Sequence, residues 1–192
     1  RLIDAAAAHS IVVRLKGGDP MLFGRAQEEI AALEAAGVRY EVVPGITAAL
    51  AASAQIGISL TQRGLVRTIS LVTPRVGECE AANEWARSIA AADAGAIYMG
   101  VGQADAIVAA LIAAGKSPAT PVVVVENASL PNARAIYATI ATLPRIGDAG
   151  LTGPAVILIG AQFRAHQAAA KASAGGDGVD RAIDDRRRVR SG

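Results

Sequence analysis

Short apolar runs alternate along the chain with alanine-rich amphipathic stretches, the pattern of strands and helices in an α/β protein. IVVRLK (11–16) predicts a first strand, ending at the turn Gly17-Gly18-Asp19-Pro20. A helix is expected over about 25–36, with Ala26, Ile30, Leu33 and Ala36 on one face and Gly37 as its stop. Tyr40–Val43 is the next expected strand, closed by Pro44-Gly45. Residues 46–56 read as a helix of small residues suited to close packing, and 57–66 as a connector between two halves.

The second half repeats the alternation. Arg67–Thr73 reads as a strand, 82–92 as a helix, and Ala96–Met99 as a strand running into Gly100-Val101-Gly102. A helix over 103–114 gathers Ile107, Val108, Leu111 and Ile112 on one face, with Gly115 behind it. Pro121–Glu126 is an unbroken β-branched run, as expected of a strand covered on both faces. Ala135–Thr139 and Ala155–Gly160 complete the expected strands, with GlnPheArg and a charged tail behind them.

Charge adds little to this picture. Residues 171–192 carry six basic and four acidic side chains, which is the whole net charge of +2, so the basic character belongs to the tail. That segment, with its glycines and three-arginine run, reads as disordered and solvated. With six aromatic residues in 192, stacking on single-stranded nucleic acid is not indicated, and no nucleic-acid partner is expected. The single cysteine, Cys79, excludes an internal disulfide framework and fits a reducing, cytoplasmic setting. His9 and His166 stand alone near the ends, and no metal-ligand spacing is present.

Residues 42–62 carry no charge and are long enough to span a bilayer. Pro44, Gly45, Gln55, Gly57, Ser59, Thr61 and Gln62 interrupt them repeatedly, so no membrane segment is expected. No signal peptide opens the chain, and the first residue is Arg1, which reads as the start of a fragment.

Ligands of open α/β sheets bind beyond the carboxyl ends of strands, and four such ends carry unusual residues. Lys16–Arg25 (KGGDPMLFGR) pairs two glycines with Asp-Pro; read alone it is either a ligand loop or an ordinary βα turn. Val43–Ala49 (VPGITAA) offers a Thr hydroxyl and free amides at a helix start, or simply a helix cap. Met99, before a glycine turn, either packs a flat heterocycle or fills the core. Glu126-Asn127-Ala128-Ser129 sets polar groups beside a small residue. No GxGxxG or GxxxxGK[ST] phosphate cradle occurs, which weighs against a nicotinamide-dependent oxidoreductase.

Together, VRLKGGDPMLFGR, YEVVPGITAALAA, GISLTQRGLVRTISLVT, IYMGVGQ and PVVVVENAS resemble, in order and spacing, the tetrapyrrole methylase family. Within it the likeness is to the uroporphyrinogen-III C-methyltransferases, found alone or as the C-terminal part of siroheme synthases. The resemblance runs from about Val12 to Phe163. It implies two α/β domains, a mostly parallel sheet in the first and a mixed sheet in the second, with S-adenosylmethionine between them. On that reading 1–60 is the C-terminal part of the first domain, 61–165 the second domain and 166–192 the tail.

Carried over by motif, the cofactor touches Gly17, Gly18, Asp19 and Leu22, the pair Thr47-Ala48, Met99, and Ala128, with Pro154-Ala155 near the adenine. The implied reaction is methylation of uroporphyrinogen III at carbons 2 and 7 to precorrin-2, by a homodimer, for siroheme or cobalamin. The substrate bears eight carboxylates, so its cleft calls for arginines. Arg14, Arg25, Arg63 and Arg67 are placed for this, and Arg63, in the connector, best of all.

Two departures from the family pattern bear on chemistry. The GxGPGDP-like loop and the acid/base Asp and Lys of the family belong to a segment expected before Arg1, so no catalytic residue is assigned. The family's LTHRG reads Leu60-Thr61-Gln62-Arg63-Gly64, with Gln for His. Another precorrin methyltransferase, or an incomplete fragment that only binds cofactor or dimerises, remain the alternatives.

Overall fold

A computed structural model describes residues 1–77, 83–173 and 181–182. It divides into two compact units, Arg1–Ala48 and Ala49–Gly192. Cys79 and most of the 171–192 tail lie outside the described residues.

The first unit contains α1 (Leu2–Ala8) and α2 (Ala26–Ala35). The expected face of α2 is the inner one: Ala26, Ile30 and Leu33 are half-buried, whereas Ala36 is exposed. Gly37, at φ 66°, ends the helix. Its amide donates to Glu34 O at 3.0 Å and that of Val38 to Leu33 O at 2.9 Å, the paired bonds of a Schellman stop.

The expected strands 11–16 and 40–43 are not formed. Strand structure exists only as a paired ladder, and no described segment pairs with either run. Ile11, Val13 and Leu15, one face of the expected strand, are 81%, 80% and 82% exposed. The expected parallel sheet of the first domain is therefore not present among the described residues. The polar side chains of this run are anchored instead to α2: Arg14 Nε and Lys16 Nζ reach the Glu29 carboxylate at 3.1 and 2.7 Å.

The second unit is a mixed sheet with helices. After α3 (Ala48–Ile56) come β1 (Ile69–Val72), α4 (Trp85–Ala91), β2 (Ala94–Tyr98), α5 (Ala104–Ala113), β3 (Pro121–Glu126), β4 (Arg134–Thr139), β5 (Ala155–Gly160), α6 (Arg164–Ser173) and β6 (Arg181–Ala182). The spatial order is β1-β2-β5-β3-β4-β6. Only β1 and β2 pair in parallel; β5 runs antiparallel between β2 and β3. The β2 and β3 strands consequently point the same way, and their carboxyl ends flank the start of β5. The register makes this concrete: Val156 lies opposite both Tyr98 and Val125, and Ala155 opposite Glu126.

All six β3 residues are buried. Val122 and Val124 join Ile97, Ile107, Leu111, Ile136, Ile157 and Ile159 in one core, while Val123, Val125 and Leu158 are buried on the opposite face. Coverage on both faces explains the unbroken apolar run. Of the expected α5 face, Ile107 and Leu111 are fully buried, whereas Ile112 is largely exposed. Residues 164–173, partly within the expected tail, form α6, whose Gln167 amide donates to Ala138 O on β4.

No helix among the described residues is long and apolar enough to cross a membrane. In the uncharged stretch 42–62, the helix α3 has only nine residues. His9 and His166 are both exposed, and no cluster of metal-ligating side chains occurs among the described residues.

Candidate cofactor site

In the first unit the Asp19 carboxylate joins two turns. Its Oδ1 accepts from Met21 N at 2.8 Å, closing its own turn, and its Oδ2 accepts from Gly45 N at 2.9 Å. The backbones meet with no room to spare: a Cβ on Gly45 would lie 2.3 Å from Gly18 O. One on Gly18, itself at φ 76°, would lie 3.7–3.9 Å from backbone atoms of Ile46, Thr47 and Ala48. Gly18 and Asp19 are thus brought onto the Gly45–Ala48 turn, with Leu22 N bonded to Asp19 O at 3.4 Å. Gly17 has nothing within 4 Å of a Cβ, so its side of the turn is open.

In the second unit, Met99 follows β2, Ala128 follows β3, and Pro154-Ala155 opens β5; all stand at one end of the sheet. Met99 adopts φ 56°, and Asn127 and Ser129, on either side of Ala128, adopt 53° and 73°. Asn127 N donates to Pro154 O at 2.9 Å, tying the turn after β3 to the loop before β5.

Three residues that sequence reasoning did not assign to the site hold this end together. Tyr98 Oη accepts from Ala49 N at 3.2 Å in the first turn of α3. Gln55 Oε1, on the same helix, accepts from Ser129 N at 3.2 Å. Glu126 is 3% exposed, and its Oε1 accepts from Thr152 N and Gly153 N at 2.7 and 2.6 Å. Its Oε2 pairs with Arg134 Nε at 2.5 Å. Burial pushes this carboxyl up, but the Gly153 amide, Arg134 and the Thr152 amide together outweigh burial and hold it below its ordinary value. The polarity of the EN pair marked Glu126 as unusual; Gln55 stood out only as a break in an apolar stretch and Tyr98 only as part of the IYMGVGQ motif, neither with a bonding role.

The candidate substrate arginines separate. Arg14 pairs with Glu29, and Arg25 grips Glu28 through two nitrogens. Arg63 and Arg67 form no ion pair among the described residues. Arg63 is exposed on the hairpin between Gln62 and Val66, whose backbones exchange bonds of 3.1 and 2.8 Å. Gln62 anchors that hairpin through its backbone and is itself exposed.

The model of the Tetrapyrrole (Corrin/Porphyrin) Methylases matches residues 1–144. The chain belongs to the tetrapyrrole methylase family. It is 40% identical over 166 residues to a siroheme synthase of Psychrobacter sp., covering 86% of this chain and 34% of that protein. A siroheme synthase of Klebsiella pneumoniae is 39% identical over 167 residues, 86% of this chain and 35% of that one. This chain thus spans about a third of the length of these relatives.

Among solved structures, uroporphyrin-III C-methyltransferase from Thermus thermophilus in complex with S-adenosylhomocysteine superposes with a TM-score of 0.74 at 38% identity. That match covers 85% of this chain and 72% of the other. The fold agrees with the α/β methylase architecture expected from the motifs. As a test of whether a nucleoside sulfonium suits these residues, the donor set is of the right kind. Backbone at open glycine turns can meet polar ribose and amino-acid groups, and the half-exposed Met99 and small Ala128 leave room for a flat ring.

Proposed function

We propose that the protein uses S-adenosylmethionine to methylate uroporphyrinogen III at carbons 2 and 7, giving precorrin-2 for siroheme or cobalamin synthesis. The observation that carries this reading is the 38% identity, over most of both chains, to a uroporphyrin-III C-methyltransferase complexed with S-adenosylhomocysteine. The cobalt precorrin-4 methyltransferase superposes with a TM-score of 0.75, as the uroporphyrin enzyme does in its native form, but at 28% rather than 36% identity. Fold alone does not separate the two substrates; sequence favours the first.

When bound, the cofactor supplies an electrophilic sulfonium methyl for in-line attack by an electron-rich pyrrole carbon. The chain's own work is to hold that geometry and exclude water, which can lower a barrier by several kcal/mol, roughly 7–11 at best. Gly17, Gly18, Asp19, Leu22, Thr47 and Ala48 of the first unit, with Met99 and Ala128 of the second, are assigned to cofactor binding. Pro154-Ala155 lies beside Ala128 as the adenine-side wall. Asp19 fixes the two turns of the first unit and has both oxygens engaged in doing so. Arg63 is assigned to a substrate carboxylate, because it is exposed and in no ion pair among the described residues, where Arg14 and Arg25 are occupied. The family resemblance supports a homodimer acting in the cytoplasm.

Incubating the full-length protein with S-adenosylmethionine and uroporphyrinogen III tests the reading. A product heavier by two methyl groups supports it; methylation of a later precorrin only would transfer the assignment to that substrate. Arg63→Ala should weaken tetrapyrrole binding while leaving S-adenosylhomocysteine affinity nearly intact, and equal loss of both in calorimetric titration would remove Arg63 from the substrate site.

A further inference from the structure

We propose that Glu126 is a positioning residue for the methyl donor, setting the loop 150–154 and the turn 127–129 as one wall of the cofactor site. This rests on the cofactor reading above and adds to it a residue with no contact to the reacting atoms. The loop is gripped at both ends by one ion pair. Glu126 Oε1 takes the amides of Thr152 and Gly153 at 2.7 and 2.6 Å, while Arg134, paired to Oε2, donates from Nη2 to Gly150 O at 2.9 Å. The loop in turn lies flush on the next turn: a Cβ on Gly153 would fall 2.0 Å from Asn127 Oδ1, and Pro154 O accepts from Asn127 N.

Ala128 lies in that turn, between two residues in the left-handed region. Burial alone calls for a partner to the Glu126 carboxylate, and here that partner also holds the far side of the same loop. The register of β3 and β4 places Glu126 directly opposite Arg134, at the last pair of that ladder, so the ion pair is fixed by the sheet. The loop is held by that pair before any ligand arrives, and a preformed wall binds its ligand at a lower ordering cost.

The test measures S-adenosylhomocysteine affinity by calorimetry, separate KM values for both substrates, and melting temperature, on the full-length protein. Glu126→Ala should weaken S-adenosylhomocysteine binding and raise the S-adenosylmethionine KM by about tenfold, with the uroporphyrinogen KM changed by less than about twofold. Glu126→Gln combined with Arg134→Met keeps the Oε1 acceptor and removes the donor that would oppose the new amide. This pair restores the grip on Thr152 and Gly153 but gives up the one on Gly150, so it should recover only part of the lost affinity, to about threefold weaker than the parent. If Glu126→Ala fails to fold, the same comparison is made with Glu126→Gln alone against the double variant.

A lower melting temperature with unchanged cofactor affinity would reduce Glu126 to a structural residue and overturn the proposal. So would equal weakening of both substrates. If the parent protein itself binds no S-adenosylhomocysteine, the cofactor reading fails first, and the two failures are told apart.

Discussion

Gly45→Ala is the sharpest probe of the turn pair in the first unit. The added Cβ would lie 2.3 Å from Gly18 O, 3.2 Å from Gly18 C and 3.3 Å from Asp19 Cα. All three are backbone atoms, so no side-chain rotation relieves the overlap and the turns must separate by roughly 1 Å. That separation also stretches the 2.9 Å bond from Gly45 N to Asp19 Oδ2. Overpacking costs about 1–3 kcal/mol. A bond to a charged acceptor adds about 1.5 kcal/mol, the low end of its range because Gly45 is exposed. The sum is about 3 kcal/mol, felt locally. Gly17→Ala is the matched control: a Cβ there meets nothing within 4 Å, so its stability should stay within about 0.5 kcal/mol of the parent. Amide exchange at Met21 and Gly45, followed with S-adenosylhomocysteine titration, reads both variants. Gly45→Ala should speed exchange at both amides and abolish binding, whereas Gly17→Ala should affect binding only. Parent-like exchange in Gly45→Ala would show that the two turns do not meet as described.

Other consequences can be measured on the second unit. Asp93 accepts from the amides of Arg67 and Thr68 and from the Thr68 hydroxyl, which hold its carboxyl below the ordinary value. A depressed carboxyl stabilises the fold above its ordinary titration range, and the gain is lost as pH falls through the lower folded value. The stability difference between the parent and Asp93→Asn in urea denaturation should therefore shrink on acidification, and growth of that difference would contradict the bonding. Ile157→Ala, at a fully buried central-strand position, should cost about 2–5 kcal/mol by the same method. Gly115→Ala meets open space but sits at φ 93°, so its cost of about 1–2 kcal/mol is backbone strain alone; a neutral result would show that the α5 stop is not left-handed.

Much of the second unit was legible because its signals are local. The VVVV run, buried on both sides, forms β3 over its expected span, and Ala155–Gly160 forms β5 to the residue. The stops at Gly37 and Gly115 are a matter of backbone conformation, which glycine announces by itself. The runs 11–16 and 40–43 show the limit of such signals. Their alternation is that of strands, but a strand is completed by a neighbour, and no described residue supplies one. For α6 the misleading feature was composition: alanines and charges resembled a solvated tail, while Gln167 anchors the helix to β4.

The site divides along the same line. The GGD and GIT turns advertise themselves through glycine and proline, and the Asp19 bond joins the pieces the motifs named. The second cluster depends on register. Glu126 meets Arg134 because a hairpin places the two opposite each other, and meets Thr152 and Gly153 because β5 inserts between β2 and β3. No residue type encodes that insertion. The backbone itself gives the stronger argument for where function lies. The non-glycine residues with left-handed φ among the described residues are Phe23, Arg25, Met99, Asn127 and Ser129. Two lie in the turn after Gly17-Gly18, and three cluster where β2 and β3 end. Each such conformation costs on the order of 1 kcal/mol and persists only where neighbouring bonds impose it. Here the neighbours are identifiable: Pro154 O for Asn127, Gln55 for Ser129, and the Glu126–Arg134 pair for the loop beyond. Left-handed backbone gathered in the turns that the motifs had singled out, and held at Asn127 and Ser129 by the bonds named, is the kind of preorganisation that the proposed cofactor site calls for.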